Sequence, residues 1–140
     1  CALPISVGFG LQNATDTNCF EFYFLGGASK YQRNDNGGVQ NTTLGFTDGG
    51  LTIVFTLTGT NTYTATVTAY YDSGTSPQTD TFSGTLLNSD AIEKLRVFNY
   101  NAGSGGAHDA FFNSIAVPEP AALSLLALSG MLLRRRGRRT

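Results

Sequence analysis

Ser104, His108 and Asp109 supply a hydroxyl, an imidazole and a carboxylate, the three groups of an acyl-transfer triad. That chemistry needs the groups to converge in successive hydrogen bonds. Near neighbours on one loop rarely converge in that way, and no Gly-x-Ser-x-Gly elbow presents the serine, so His108 reads as a solvated loop residue. Gly103, Gly105 and Gly106 imitate a dinucleotide loop but lack the third spaced glycine and the strand-to-helix setting, so they read as turn glycines. Asn34, Asp35 and Asn36, joined by Asp48 or Asp109, could offer oxygens to calcium. They lack EF-hand spacing, and turns select the same residues. No metal and no cofactor is expected. A jelly-roll hydrolase would need paired carboxylates at opposed strand positions, and Glu21 alone among the acids falls in a strand-like run. The chain is therefore read as a non-enzyme.

Two other side-chain types could do non-catalytic work. Tyr31, Tyr70, Tyr71 and Tyr100 carry rings able to stack on sugars, and Tyr70 and Tyr100 are the candidate glycan-binding residues. With no tryptophan in the chain, such a platform rests on tyrosine. Cys1 and Cys19 permit one disulfide in an oxidising compartment, and they can equally remain thiols. Asn13 and Asn41 open Asn-x-Thr triplets that read as loop and strand-edge polar residues.

The elements that would position these groups show a period of two. Phe20, Phe22 and Phe24 alternate with Glu21, Tyr23 and Leu25, placing a phenylalanine row on one face of a strand. Leu51, Ile53, Phe55 and Leu57 alternate with Thr52, Val54, Thr56 and Thr58. After Gly59-Thr60-Asn61 the pattern resumes, with Tyr63, Ala65, Val67, Ala69 and Tyr71 against a row of threonines. This predicts a long hairpin with a core face and a solvated threonine face. Further strands are predicted over 5–11, 29–34, 39–46, 81–87, 95–100 and 111–117, and one helical turn or plain turn over 88–94. Glycine-rich turns punctuate them, so the body reads as an all-β antiparallel sandwich over 1–117.

Charge divides the chain differently. Of 140 residues only 14% are charged, against about a quarter in an ordinary domain. Arg134, Arg135, Arg136, Arg138 and Arg139 are five of the nine bases, leaving residues 1–117 with four bases against nine acids. A mildly acidic body excludes nucleic acid as a partner, since phosphate neutralisation needs a basic face. The chain opens at Cys1 without a basic-then-apolar leader, which reads as a mature product or a fragment. At the other end Pro118-Glu119-Pro120 stops sheet pairing and suits a helix start. An uncharged run follows, containing Ala121, Leu123, Leu125, Leu126, Leu128, Met131, Leu132 and Leu133. Thirteen residues at about 1.5 Å each reach roughly 20 Å, short of a bilayer core of about 30 Å. The arginine block favours membrane insertion over a buried helix, because it anchors a cytoplasmic end while snorkelling absorbs the deficit.

Pro-Glu-Pro at 118–120, an apolar helix over 121–133 and an arginine cluster over 134–139 together resemble the tripartite PEP-CTERM sorting signal of exported bacterial proteins. The resemblance implies that the chain is held in the inner membrane with its body outside the cytoplasm. Exosortase, a membrane-embedded transpeptidase-like cysteine protease, then processes it and sends the body to the cell surface or its exopolysaccharide matrix. Segments 22–27, 45–51, 98–105 and 112–114 are also similar to bodies of PEP-CTERM proteins with a laminin-G or concanavalin-like jelly roll. That implies fold alone. The expected function is a non-catalytic surface or matrix protein, with a carbohydrate-binding module on the same anchor as the alternative.

Overall fold

A computed structural model describes residues 5–102 and 112–116. Eight strands form in the first of two compact units, Cys1–Ala110. They are β1 (Ser6–Gln12), β2 (Asn18–Leu25), β3 (Tyr31–Asp35), β4 (Gly38–Asn41), β5 (Leu51–Leu57), β6 (Thr62–Ala69), β7 (Gln78–Thr85) and β8 (Lys94–Tyr100). All pair antiparallel in two sheets, ordered β4-β3-β2-β1-β8 and β5-β6-β7. The described residues are thus all-β and contain no helix, as the period of two requires.

The two sheets meet through the faces their alternation makes apolar. Phe20 and Phe22 of β2 are buried, as are Tyr63, Ala65, Val67 and Ala69 of β6. The Phe20 ring lies 5.0 Å from Phe55 and 4.9 Å from Tyr63, while Phe22 stacks on Tyr31 at 5.5 Å. Threonines of β6 point the other way, and their hydroxyls pair across to β7 from Thr64 to Ser83, Thr66 to Thr81 and Thr68 to Thr79. Such cross-strand pairs stabilise a solvated sheet face by a few tenths of a kcal/mol each, about 0.2–1.

Two local expectations change, and one open alternative is decided. The strand expected over 39–46 ends at Asn41: Thr42 gives both its N–H and its hydroxyl to the Tyr31 carbonyl, but the Tyr31 N–H passes on to the Leu44 carbonyl, so the regular ladder is broken. Residues 88–94 form no helix: Asn88 Oδ1 accepts the Asp90 N–H in a tight turn. Residues 112–116, within the second unit Phe111–Thr140, carry no strand pairing where 111–117 was expected as one.

The sheets also differ in width. Arg33 of β3 lies over the Phe82 ring of β7, and Phe20 of β2 faces β5 and β6. That alignment carries β8 past the β5 edge. Leu95 and Val97 of β8, level with the core residues Leu11 and Phe9, consequently stay 41% and 43% exposed.

Candidate functional site

Pro118, Glu119, Pro120, the apolar residues from Ala121 to Leu133 and the arginines 134–136, 138 and 139 lie outside the described residues. So do Ser104, His108 and Asp109. Among the described residues no helix is long and apolar enough to cross a membrane. Functional geometry is therefore sought in the sandwich.

Of the candidate calcium ligands, Asp35 and Asp48 already have other partners. Asp35 closes β3 with its carboxylate turned inward, only 2% exposed. Tyr63 Oη donates to its Oδ2 at 2.5 Å, the Gly37 N–H to its Oδ1 at 2.8 Å, and Arg33 stands 3.6 Å away. Gly84 leaves the room: a Cβ there would strike both Asp35 Oδ2 and the Tyr63 hydroxyl. Burial, then the hydrogen bond and charge of Asp35, push the Tyr63 hydroxyl far above its ordinary range. Asp48 is engaged elsewhere, accepting the Asp72 N–H. No group of three metal-binding side chains forms among the described residues. Asp35 instead ties β3 to β6, a structural clamp.

Cys19 is buried with a free thiol that donates to Asn88 Oδ1 at 3.3 Å. Burial raises its pKa, which suppresses the thiolate. Cys1, its candidate disulfide partner, lies outside the described residues.

The two candidate tyrosines are not brought together. Tyr70 follows β6 beside the three-stranded sheet, 40% exposed, its backbone held by Gly49, Gly50 and the Thr47 hydroxyl. Tyr100 ends β8 in the other sheet, 49% exposed.

Around Tyr100 the outer face of the five-stranded sheet carries an ordered set. Alternation puts Arg96, Phe98 and Tyr100 on that face of β8, and register sets Arg96 level with Gly10 and Glu21. Gly10 has no side chain, so Arg96 reaches across β1 to Glu21 Oε1 at 3.1 Å. Glu21 is fixed further by Asn18 on Oε1 at 2.8 Å and Asn34 on Oε2 at 2.9 Å. The Phe98 and Tyr100 rings stack at 5.2 Å, and the guanidinium carbon of Arg96 lies 5.1 Å and 6.0 Å from their centroids. Burial, with Glu21 adding to it, raises the pKa of the neighbouring Tyr23 hydroxyl.

This is a row of two rings, a guanidinium and a single carboxylate, able to stack and to hydrogen-bond; the second carboxylate that glycoside hydrolysis needs is not in the row. Of its members the sequence nominated Tyr100 alone as a ligand residue. The spacing of Lys94, Arg96, Phe98 and Tyr100 was a visible signal for the β8 members, but the pairing of Arg96 with Glu21 depends on register. A separate shallow cavity of about 360 Å³ opens at the far end, lined by Leu57, Thr60, Leu86, Asp90 and Ile92 among others. Comparison with known proteins finds no match: no family model, no curated protein and no solved structure aligns significantly with the chain.

Proposed function

We propose that this chain is an exported, non-catalytic surface or matrix-associated protein. In this reading the β-sandwich is cargo, and the segment from Pro118 to Arg139 is the PEP-CTERM signal that inserts in the inner membrane and is then processed by exosortase. The observation that carries it is the order Pro-Glu-Pro, apolar run, arginine cluster at one terminus. The jelly-roll kinship belongs to the same proposal. Return of β8 to the side of β1 supports it, although β1–β4 and β5–β7 run as plain meanders.

Cell fractionation with mass spectrometry of the mature C-terminus tests the reading. A surface-associated form ending near Pro118-Glu119-Pro120, and its loss in a Pro118→Ala/Pro120→Ala variant, is the expected outcome. Retention of Arg139 in every compartment would overturn it.

The second reading, a carbohydrate-binding module on the same anchor, is favoured by one specific observation: the exposed Tyr100 ring stacked on Phe98 beside the Arg96–Glu21 pair.

A further inference from the structure

We propose that Tyr100, Arg96 and Glu21 form a subsite for one neutral hexose unit of a polysaccharide. The inference rests on the carbohydrate-binding reading and adds to it the atoms that bind and the class of sugar.

Three features point to such a unit. Tyr100 offers an exposed aromatic ring whose position is set by stacking on Phe98, which is itself 8% exposed. A rigid, half-exposed ring gives apolar contact to the C–H face of a pyranose at little entropic cost. Beside it stands a fixed donor and acceptor pair. Of its five N–H donors the Arg96 guanidinium gives one, from Nη2, to Glu21, and its Nε–H is buried, so the remaining Nη N–H groups are those a sugar can meet. A carboxylate oxygen accepts two hydrogen bonds, and Oε2 of Glu21 takes one from Asn34. Neighbouring sugar hydroxyls each donate and accept, so a hydroxyl pair matches a guanidinium and a carboxylate set side by side. The 6.0 Å between the Arg96 guanidinium carbon and the Tyr100 centroid lets one sugar touch both.

Charge decides the class. Arg96 is neutralised by Glu21, and the nearby Lys94 by Asp16 at 2.7 Å. No unpaired cation of this row is thus left for a uronate or sulfate, and the acidic body repels polyanions. Gly10 is the positioning residue: a methyl group there would touch Arg96 and Glu21 at an ordinary 3.7 Å, and a longer side chain would stand between them.

Affinity electrophoresis of the whole chain, kept soluble by a non-ionic detergent, tests the proposal in gels cast with a neutral galactomannan, a neutral β-glucan or alginate. Retardation by at least one neutral polymer is expected, and any retardation in alginate, which the arginines at 134–139 attract, should be unchanged in Tyr100→Ala. Tyr100→Ala should weaken binding about tenfold, the equivalent of one stacked ring. Arg96→Gln should weaken it comparably, while Thr66→Ala, on the other sheet, should leave it unchanged. Circular dichroism of each variant separates lost binding from lost fold. Absence of retardation by both neutral polymers, retardation by alginate alone, or unchanged binding in folded Tyr100→Ala would overturn the subsite. None of these outcomes bears on C-terminal processing, which the mapped terminus decides separately.

Discussion

Replacing Tyr63 by Phe removes one oxygen atom from the sandwich and tests the clamp between its sheets. In the native protein that oxygen donates to Asp35, whose carboxylate is only 2% exposed. Water cannot readily take its place. Asp35 keeps the Gly37 N–H and the Arg33 charge at 3.6 Å, so the loss is of the bond to Asp35 and of the longer one that the hydroxyl accepts from Arg33 Nη1 at 3.3 Å, rather than of the whole site. Hydrogen bonds to charged groups are worth about 1.5–3 kcal/mol, and leaving a buried acceptor short of a donor costs a similar amount. We expect Tyr63→Phe to lower unfolding stability by about 2 kcal/mol, seen in urea as a lower midpoint at unchanged slope. For a domain of this size the melting temperature falls by about 4 °C per kcal/mol. A double-mutant cycle with Asp35→Asn should return a coupling of at least about 1 kcal/mol. A single-variant loss below about 0.5 kcal/mol, or additive effects in the cycle, would show that the clamp contributes nothing and refute the reasoning.

Other outcomes follow from the same geometry. Because the Tyr63 hydroxyl is held protonated in the folded state, the unfolded chain loses that proton first. Stability should fall as pH rises above the ordinary tyrosine value of 10.0, and Tyr63→Phe should flatten that fall in alkaline urea titrations. Gly84→Ala forces a methyl group onto Asp35 and Tyr63 and should cost about 1–3 kcal/mol by thermal melting. Phe20→Ala empties the centre of the core and should cost about 3–5 kcal/mol, whereas Leu95→Thr on the overhang should stay within about 0.5. In a Cys1→Ser background, a thiol reagent should label Cys19 only as fast as the sandwich opens, since the thiol is buried and its pKa raised.

Faces were readable in this chain, and neighbours were not. Alternation assigned Phe20 and Phe22 to one side of β2 and the threonines of β6 to the other, because side-chain direction in a strand depends on parity alone. Leu57 shows where parity stops helping: it lies on the core-facing row of β5 yet is exposed at the strand's end, where it lines the open cavity with Leu86 and Ile92. Asp35 sits in a turn-like Asn-Asp-Asn-Gly run that reads as solvated, and what turned it inward is Tyr63, 28 positions later.

Local chemistry along the backbone thus determined the strand class, most strand positions and the two-faced hairpin, and it wrote the signal-like terminus in residue order. Pairing register and sheet width decided the rest: Glu21 meets Arg96 across 75 positions of chain because register sets both level with Gly10 of β1, which puts no long side chain between them. Parity is a property of each strand by itself. Proximity between strands is set when the sheets close on their shared core, and no single segment encodes it.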